Sequence, residues 1–369
     1  MITAHTLDRT AYTQLRYDLI RKTEGIKPAA YLDGKKIPTI GIGFNLQDTA
    51  IRNLVLGKFG ITNDIDRLAI EKIVSPAIPY ISDTALQTAL NAKLAELQGL
   101  GRANRATFTF STGEIGVIEM RAVFDQAVKM YDEGDLNATN SYDRQGRVNA
   151  WLTDLPDSCE RAVLVSLSYN GLINRGTSPA LRQAILDGNR AEAWFEIRYD
   201  SNGGADKAGV AKRRYYEAET FGLYQGGSAA DETEAKSVFK MFTRHREAID
   251  DYEVQFGVER NGEKGARNMI AEANLAFGRG SASTIVESLK SARDLLVSKY
   301  ASGKAIDEIA VDFNAGGRRI DTSHFDQFWG RGSNDLVFGE EGDDTIITGQ
   351  GDDVLIGGAG NDTLIGRIG

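Results

Sequence analysis

The sequence predicts a mixed α+β protein whose two ends differ in kind, and three observations carry that expectation. Tyr12, Leu15, Leu19 and Ile20 recur at helical spacing and lead into EGIKPAAYLDGKKIPTIGIG at 24–43, where two short apolar runs flank Asp33-Gly34. Helical patterns then recur along the chain as far as Leu296. From Gly330 to Ile365 a strict nine-residue period takes over.

Composition narrows the function classes. A chain of 369 residues has room for two or three domains, and 41% apolar with 26% charged residues is ordinary for a globular protein. The single Cys159 excludes an intramolecular disulfide framework and reads as a buried free thiol. The opening residues place Asp8 and Arg9 where a signal peptide needs an unbroken apolar stretch, and no run has the length to cross a bilayer. No classical signal peptide and no membrane insertion are therefore expected. The net charge of −9 is uneven: residues 1–225 hold 27 Lys+Arg and 27 Asp+Glu, whereas 226–369 hold 16 and 25. That acidic excess marks a boundary, argues against nucleic acid as a partner, and calls for a partner of positive charge.

In the first element, Gly25 is a natural stop, which makes Glu24 the last helical residue. The negative end of the helix dipole disfavours an ionised carboxylate there by ~0.3–1 kcal/mol. Partial burial adds to this, so Glu24 is expected to keep its proton as a general acid must. Asp33-Gly34 opens a turn between AAYL and TIGIG, read as short antiparallel strands. Taken singly, Glu24 is an ordinary helix end and Asp33 an ordinary turn residue.

In combination, Glu24-Gly25, Asp33-Gly34 and Thr39-Ile-Gly-Ile-Gly closely resemble the amino-terminal lobe of the phage-type lysozymes, glycoside hydrolase family 24. The segments DSCERAVLVSLSYNG, SPALRQAILDGNRAEAWFEIR and GVAKRRYYEAETFGLY between 157 and 224 look like the helical lobe of that family. The resemblance implies a small hairpin lobe beside a helical lobe and cleavage of the β-1,4 link between N-acetylmuramic acid and N-acetylglucosamine. Glu24 would be the general acid, with Asp33 and Thr39 holding the attacking water. Arg213 and Arg214 stand where family members carry arginines lining the cleft, and Asp157 with Glu160 reads as a capping box for the helix that follows. Two departures are visible: Phe44 stands where relatives often have His, and residues 47–156 are longer than the link in small members. A lytic transglycosylase, or a calcium-dependent adhesion or scaffold protein with an inactive head, are the rival readings.

In the middle region, Asp231 and Glu234 can cap a helix carrying Val238, Met241, Phe242, His245, Ile249 and Tyr252, and a second pattern runs from Ile285 to Leu296. These read as a helical spacer, with His245 in its core rather than on a metal.

In the periodic segment, GRGSNDLVF, GEEGDDTII, TGQGDDVLI and GGAGNDTLI place Asp335, Asp344, Asp353 and Asp362 in one slot and apolar residues in the last two. The repeats resemble the RTX, or hemolysin-type, calcium-binding nonapeptide, which implies a parallel β-roll. Glycines permit the left-handed turns, and carbonyls with aspartates bind a hard cation. In that family a calcium lies between turns two repeats apart, which would pair Asp335 with the turn of Asp353 and Asp344 with that of Asp362, giving two sites. The expected domains are thus 1–225 lysozyme-like, 226–329 helical and 330–369 roll. Calcium would be structural, with no cofactor for catalysis. The resemblance also implies a secreted or periplasm-delivered, peptidoglycan-directed protein, with secretion machinery or an immunity protein as partners. Because four residues follow Ile365 where a secretion signal is usual, export by another system or a longer natural chain is expected.

Overall fold

The structure is a computed structural model that describes residues 1–76, 80–132, 155–173, 178–201, 207–257, 268–312, 319–321 and 333–366. It divides into two compact units, one of Thr6–Thr177 and one of Met1–His5 with Ser178–Gly369. The break expected after residue 225 falls inside the second unit. The polar run at 132–147 lies outside the described residues beyond Asp132, as does Arg331 of the first repeat.

The first unit is built from α1 (Arg9–Glu24), β1 (Lys27–Leu32), β2 (Pro38–Gly41), β3 (Phe44–Asn45), α2 (Thr49–Lys58), α3 (Asp64–Val74), α4 (Asp83–Gly99), α5 (Gly113–Ala127), α6 (Lys129–Asp132) and α7 (Cys159–Tyr169). Helix α1 starts where the Asp8 side chain accepts from the Ala11 amide at 2.9 Å and stops at Gly25, whose φ of +75° a side chain disfavours. The three strands form one antiparallel sheet in the order β1-β2-β3, with Tyr31 opposite Thr39. Phe44 is fully buried beside Phe110, which packs edge-on against Phe59 at 5.3 Å. An apolar aromatic contact thus occupies the place where a polar residue would need a partner. Helix α7 is capped by Ser158, which accepts from Arg161 N at 3.1 Å, and not by Asp157. Asp157 pairs instead with Arg9 at 3.1 Å, and Cys159 is half-buried. Beneath α1, the wholly buried Asp132 accepts from Tyr12 at 2.6 Å, Arg161 at 2.7 Å, and Arg16, so its charge is compensated by two guanidiniums.

The second unit contains α8 (Pro179–Asp187), α9 (Arg190–Phe195) with a π-helical turn at Glu196–Asp200, α10 (Lys207–Phe221), α11 (Glu232–Phe256), α12 (Met269–Phe277) and α13 (Ile285–Tyr300). Six strands follow: β4 (Glu308–Val311), β5 (Arg319–Asp321), β6 (Asp335–Glu341), β7 (Thr345–Ile347), β8 (Val354–Ala359) and β9 (Thr363–Ile365). Asp231 caps α11 by accepting from Glu234 N at 2.9 Å. His245 lies on α11 half-buried, stacked 3.7 Å from Phe195 and bonded to Glu192. Arg213 and Arg214 are buried and both pair with Glu217 on their own helix.

The strands make two parallel sheets, β4-β6-β8 and β5-β7-β9. Within each, a residue pairs with the one two repeats on, as Leu336 with Val354 and Thr345 with Thr363. Between the sheets sits a thin core of Ala310, Val337 and Ile346, with Leu355 packed against it. The slot after these turns the other way: Phe338 is wholly buried against Tyr300 of α13, with Lys236 of α11 over its ring. The roll starts earlier than the repeat period. Residues 308–311 and 319–321, expected within a helical spacer, supply β4 and β5 as its first rung. Among the described residues, no helix is long and apolar enough to cross a membrane.

Candidate functional site

The turns of the roll are built from aspartates that satisfy main-chain donors eighteen residues away. Asp353 Oδ1 accepts from Asp335 N at 2.9 Å and Asp362 Oδ1 from Asp344 N at 3.0 Å. Asn334 Oδ1 accepts from Asp352 N at 2.7 Å, and Asp343 Oδ1 from Asn361 N at 2.8 Å. The turns two repeats apart are thus stacked and stitched, with Asp335 and Asp344 only 1% exposed. One oxygen of each stitching aspartate is left for another task, and Asp353 Oδ2 is buried without a hydrogen-bond partner.

Glycines line the same gaps. A Cβ on Gly339 would come within 2.7 Å of Asp344 Oδ2 and closer still to the Gly357 carbonyl. On Gly357 it would lie 2.7 Å from the Asp362 carboxyl carbon, and on Gly351 it would fall against the Ser333 carbonyl. The empty side-chain positions therefore leave cradles of carboxylate and carbonyl oxygen, the donor set a hard divalent cation requires. Among the described residues no three His, Cys, Asp or Glu side chains converge as a metal cluster, so main-chain carbonyls must supply much of the coordination. The residues present fit calcium: Asp344 and Asp362 on one side of the roll, and Asp335 and Asp353 on the other, would hold it.

The roll is tied to the helices before it. Glu340 bridges Lys236 at 2.7 Å and Lys240 at 3.1 Å, both on α11. Burial pushes the Glu340 carboxyl up, but the two lysine hydrogen bonds outweigh it and hold the group below its ordinary value.

In the first unit, the hairpin gathers a second set of acids. Glu24 ends α1 half-buried, and a Cβ placed on Gly43 would be 3.5 Å from Glu24 Oε2 and 3.6 Å from the Tyr169 ring. Tyr169, on α7, fixes that corner by donating to the Ile42 carbonyl at 2.6 Å. Asp33 Oδ1 accepts from the amides of Lys35 and Ile37, both at 2.8 Å, which closes the turn and leaves Oδ2 outside it. Thr39, 4% exposed on β2, donates to the Ile37 carbonyl at 2.9 Å, so its hydroxyl oxygen can accept a further hydrogen bond.

The charges of these acids are felt at Tyr31 on β1. Burial, then the charges of Glu24, Asp33 and Asp83, push its phenol up to about 12. Asp83, which sequence reasoning missed, opens α4 and accepts from Leu32 N at 2.9 Å. Its signal was an acid in the first turn of a helix pattern, common enough to pass as a cap. Beside it runs a groove of about 590 Å³ between β1 and α4, lined by Lys27, Tyr31, Asp83, Thr84, Gln87 and Thr88 among others.

A family model, the RTX calcium-binding nonapeptide repeat in four copies, matches residues 329–364. Calcium-binding repeats of this type are therefore present in the chain. No curated protein and no solved structure matches the chain.

Proposed function

We propose that the protein is a peptidoglycan hydrolase of the muramidase type, exported and carrying a calcium-stabilised tail. In this reading Glu24 protonates the leaving glycosidic oxygen while Asp33 and Thr39 hold the water that attacks the sugar carbon. Single displacement needs space for that water, about 6.5–9.5 Å between the carboxyls. The observation that carries the reading is the hairpin corner, where Glu24 at the end of α1 lies beside Gly43, and Ile37 links Asp33, to which its amide donates, with Thr39, from which its carbonyl accepts. A carboxylate whose turn bonds consume one oxygen and a hydroxyl whose proton is already committed both suit the polarising of a water. The roll adds a calcium-dependent segment suited to compartments outside the cytosol, where sensor-weak sites fill.

The test is lysis of purified cell walls. Glu24→Gln is expected to lower the rate by about 10²–10⁴-fold, the usual worth of a general acid, with circular dichroism unchanged. Wild-type lysis by that variant would refute the assignment. The mass of the released sugars separates the chemistries: hydrolysis adds one water per bond, and a transglycosylase leaves an anhydro sugar.

A further inference from the structure

We propose that the first rung of the roll, upstream of the matched repeats, carries an additional calcium site built on Asp312. Strand β4 lies parallel to β6 with Glu308 opposite Asp335 and Val311 opposite Phe338, so Glu308 occupies the slot of the repeat aspartate. The stitching continues there, since Asp307 Oδ2 accepts from Asn334 N at 3.0 Å. None of 307–312 lies within the residues the family model matches, 329–364.

The two ends of this rung bury a carboxylate each, and they treat it differently. Glu308, 1% exposed, pairs with the guanidinium of Arg246, which reaches it from α11. A protein cation therefore neutralises that end. Asp312, 2% exposed at the other end, has no hydrogen-bond partner on either carboxylate oxygen and no ion pair among the described residues. An ionised carboxylate in that position needs a cation, because desolvation without compensation is among the largest penalties a fold can carry.

The register says where the side chain is directed. Asp312 N donates to the Phe338 carbonyl at 2.9 Å, which stacks Asp312 over Gly339, the first position of the next turn on that side. At Gly339 a Cβ would point into oxygen, at the Gly357 carbonyl and at Asp344 Oδ2. By the same translation, the Asp312 side chain projects toward the Gly339 carbonyl, as the Gly339 position does toward that of Gly357. The donors are oxygen alone, which selects calcium over zinc or copper.

The full chain is dialysed to equilibrium against calcium, and bound metal is counted per chain by elemental analysis. Asp312→Asn, nearly isosteric, is expected to bind one calcium fewer than wild type while retaining the calcium-induced strand signal of the remaining coils. An unchanged count at unchanged affinity overturns the site. Should the variant fail to fold, wild-type crystals grown in calcium decide the matter. An anomalous peak beside Asp312 supports the proposal, and peaks at the repeat turns with none at Asp312 overturn it.

Discussion

The hairpin turn at Asp33 and the roll turns at Asp344 and Asp362 use the same residue for the same job, yet only one of them stands alone. Asp33 caps two amides of its own turn, at 2.8 Å each, so the turn is complete within five residues. In the roll, Asp362 caps Asp344 N of another turn, and that turn's own carboxylate is 1% exposed. Stacking satisfies the amides and brings buried carboxylates into register, which repel unless a cation lies between them. A turn that closes on itself is independent of solvent ions; one that closes on its neighbour depends on a ligand. Elsewhere in the chain buried acids are treated otherwise: Asp132 and Glu308 take arginines, and burial raises the Glu196 carboxyl.

Calcium removal tests this contrast most severely. Chelation is expected to abolish the strand signal of β4–β9, leaving the hairpin of the first unit protected in hydrogen exchange. Equal loss of protection in both would break the distinction between local and stacked turns.

A smaller effect separates two glycines. Gly357→Ala places a methyl against the Asp362 carboxyl and is expected to weaken calcium binding by at least about tenfold, or ~1.4 kcal/mol. Gly25→Ala meets no atom within 4 Å, but it forces a side chain to φ +75°, so it should cost about 1 kcal/mol of stability with calcium affinity unchanged. Calcium titration with thermal melts of both variants checks the pair.

A pH-dependent effect is expected at Glu196, whose buried carboxyl has no cation among the groups that shift it. Burial, then the nearby charges of Asp200 and Glu192, raise its carboxyl from 4.5 to about 7. Between those values the folded chain holds more protons than the unfolded one. Its contribution to stability is therefore full below pH 4.5 and is lost as pH rises through 7. Glu196→Gln should flatten that slope in melts at fixed calcium, and an unaltered slope would assign the dependence to other groups.

Legibility in the sequence followed the range of the forces involved. Gly25 as a helix stop, Asp231 as a cap and the nine-residue coils were readable because each is fixed by neighbours or by a repeated pattern. The cap of α7 was missed by one residue, since Asp157 and Ser158 are both good caps and Asp157 is drawn into ion pairs with the distant Arg9 and with Arg161. The first rung was hidden for a related reason. Residues 306–312, IDEIAVD, lack the glycines and aspartate slot of the repeat, yet they pair in register because β6 offers a strand edge and α11 supplies Arg246. Asp83 gave only the signal of a helix start, and its bond to the Leu32 amide depends on how α4 packs against β1.

By itself the sequence determined where glycine must take left-handed turns, which residues cap helices, and that a period of nine would stack aspartates over aspartates. These are consequences of backbone sterics and repetition. Tertiary structure alone decided which acid of α4 bonds to β1, which buried carboxylate receives an arginine, and where the roll begins. Each of those depends on the desolvation and charge of residues far apart in the chain, which come together only when the elements pack.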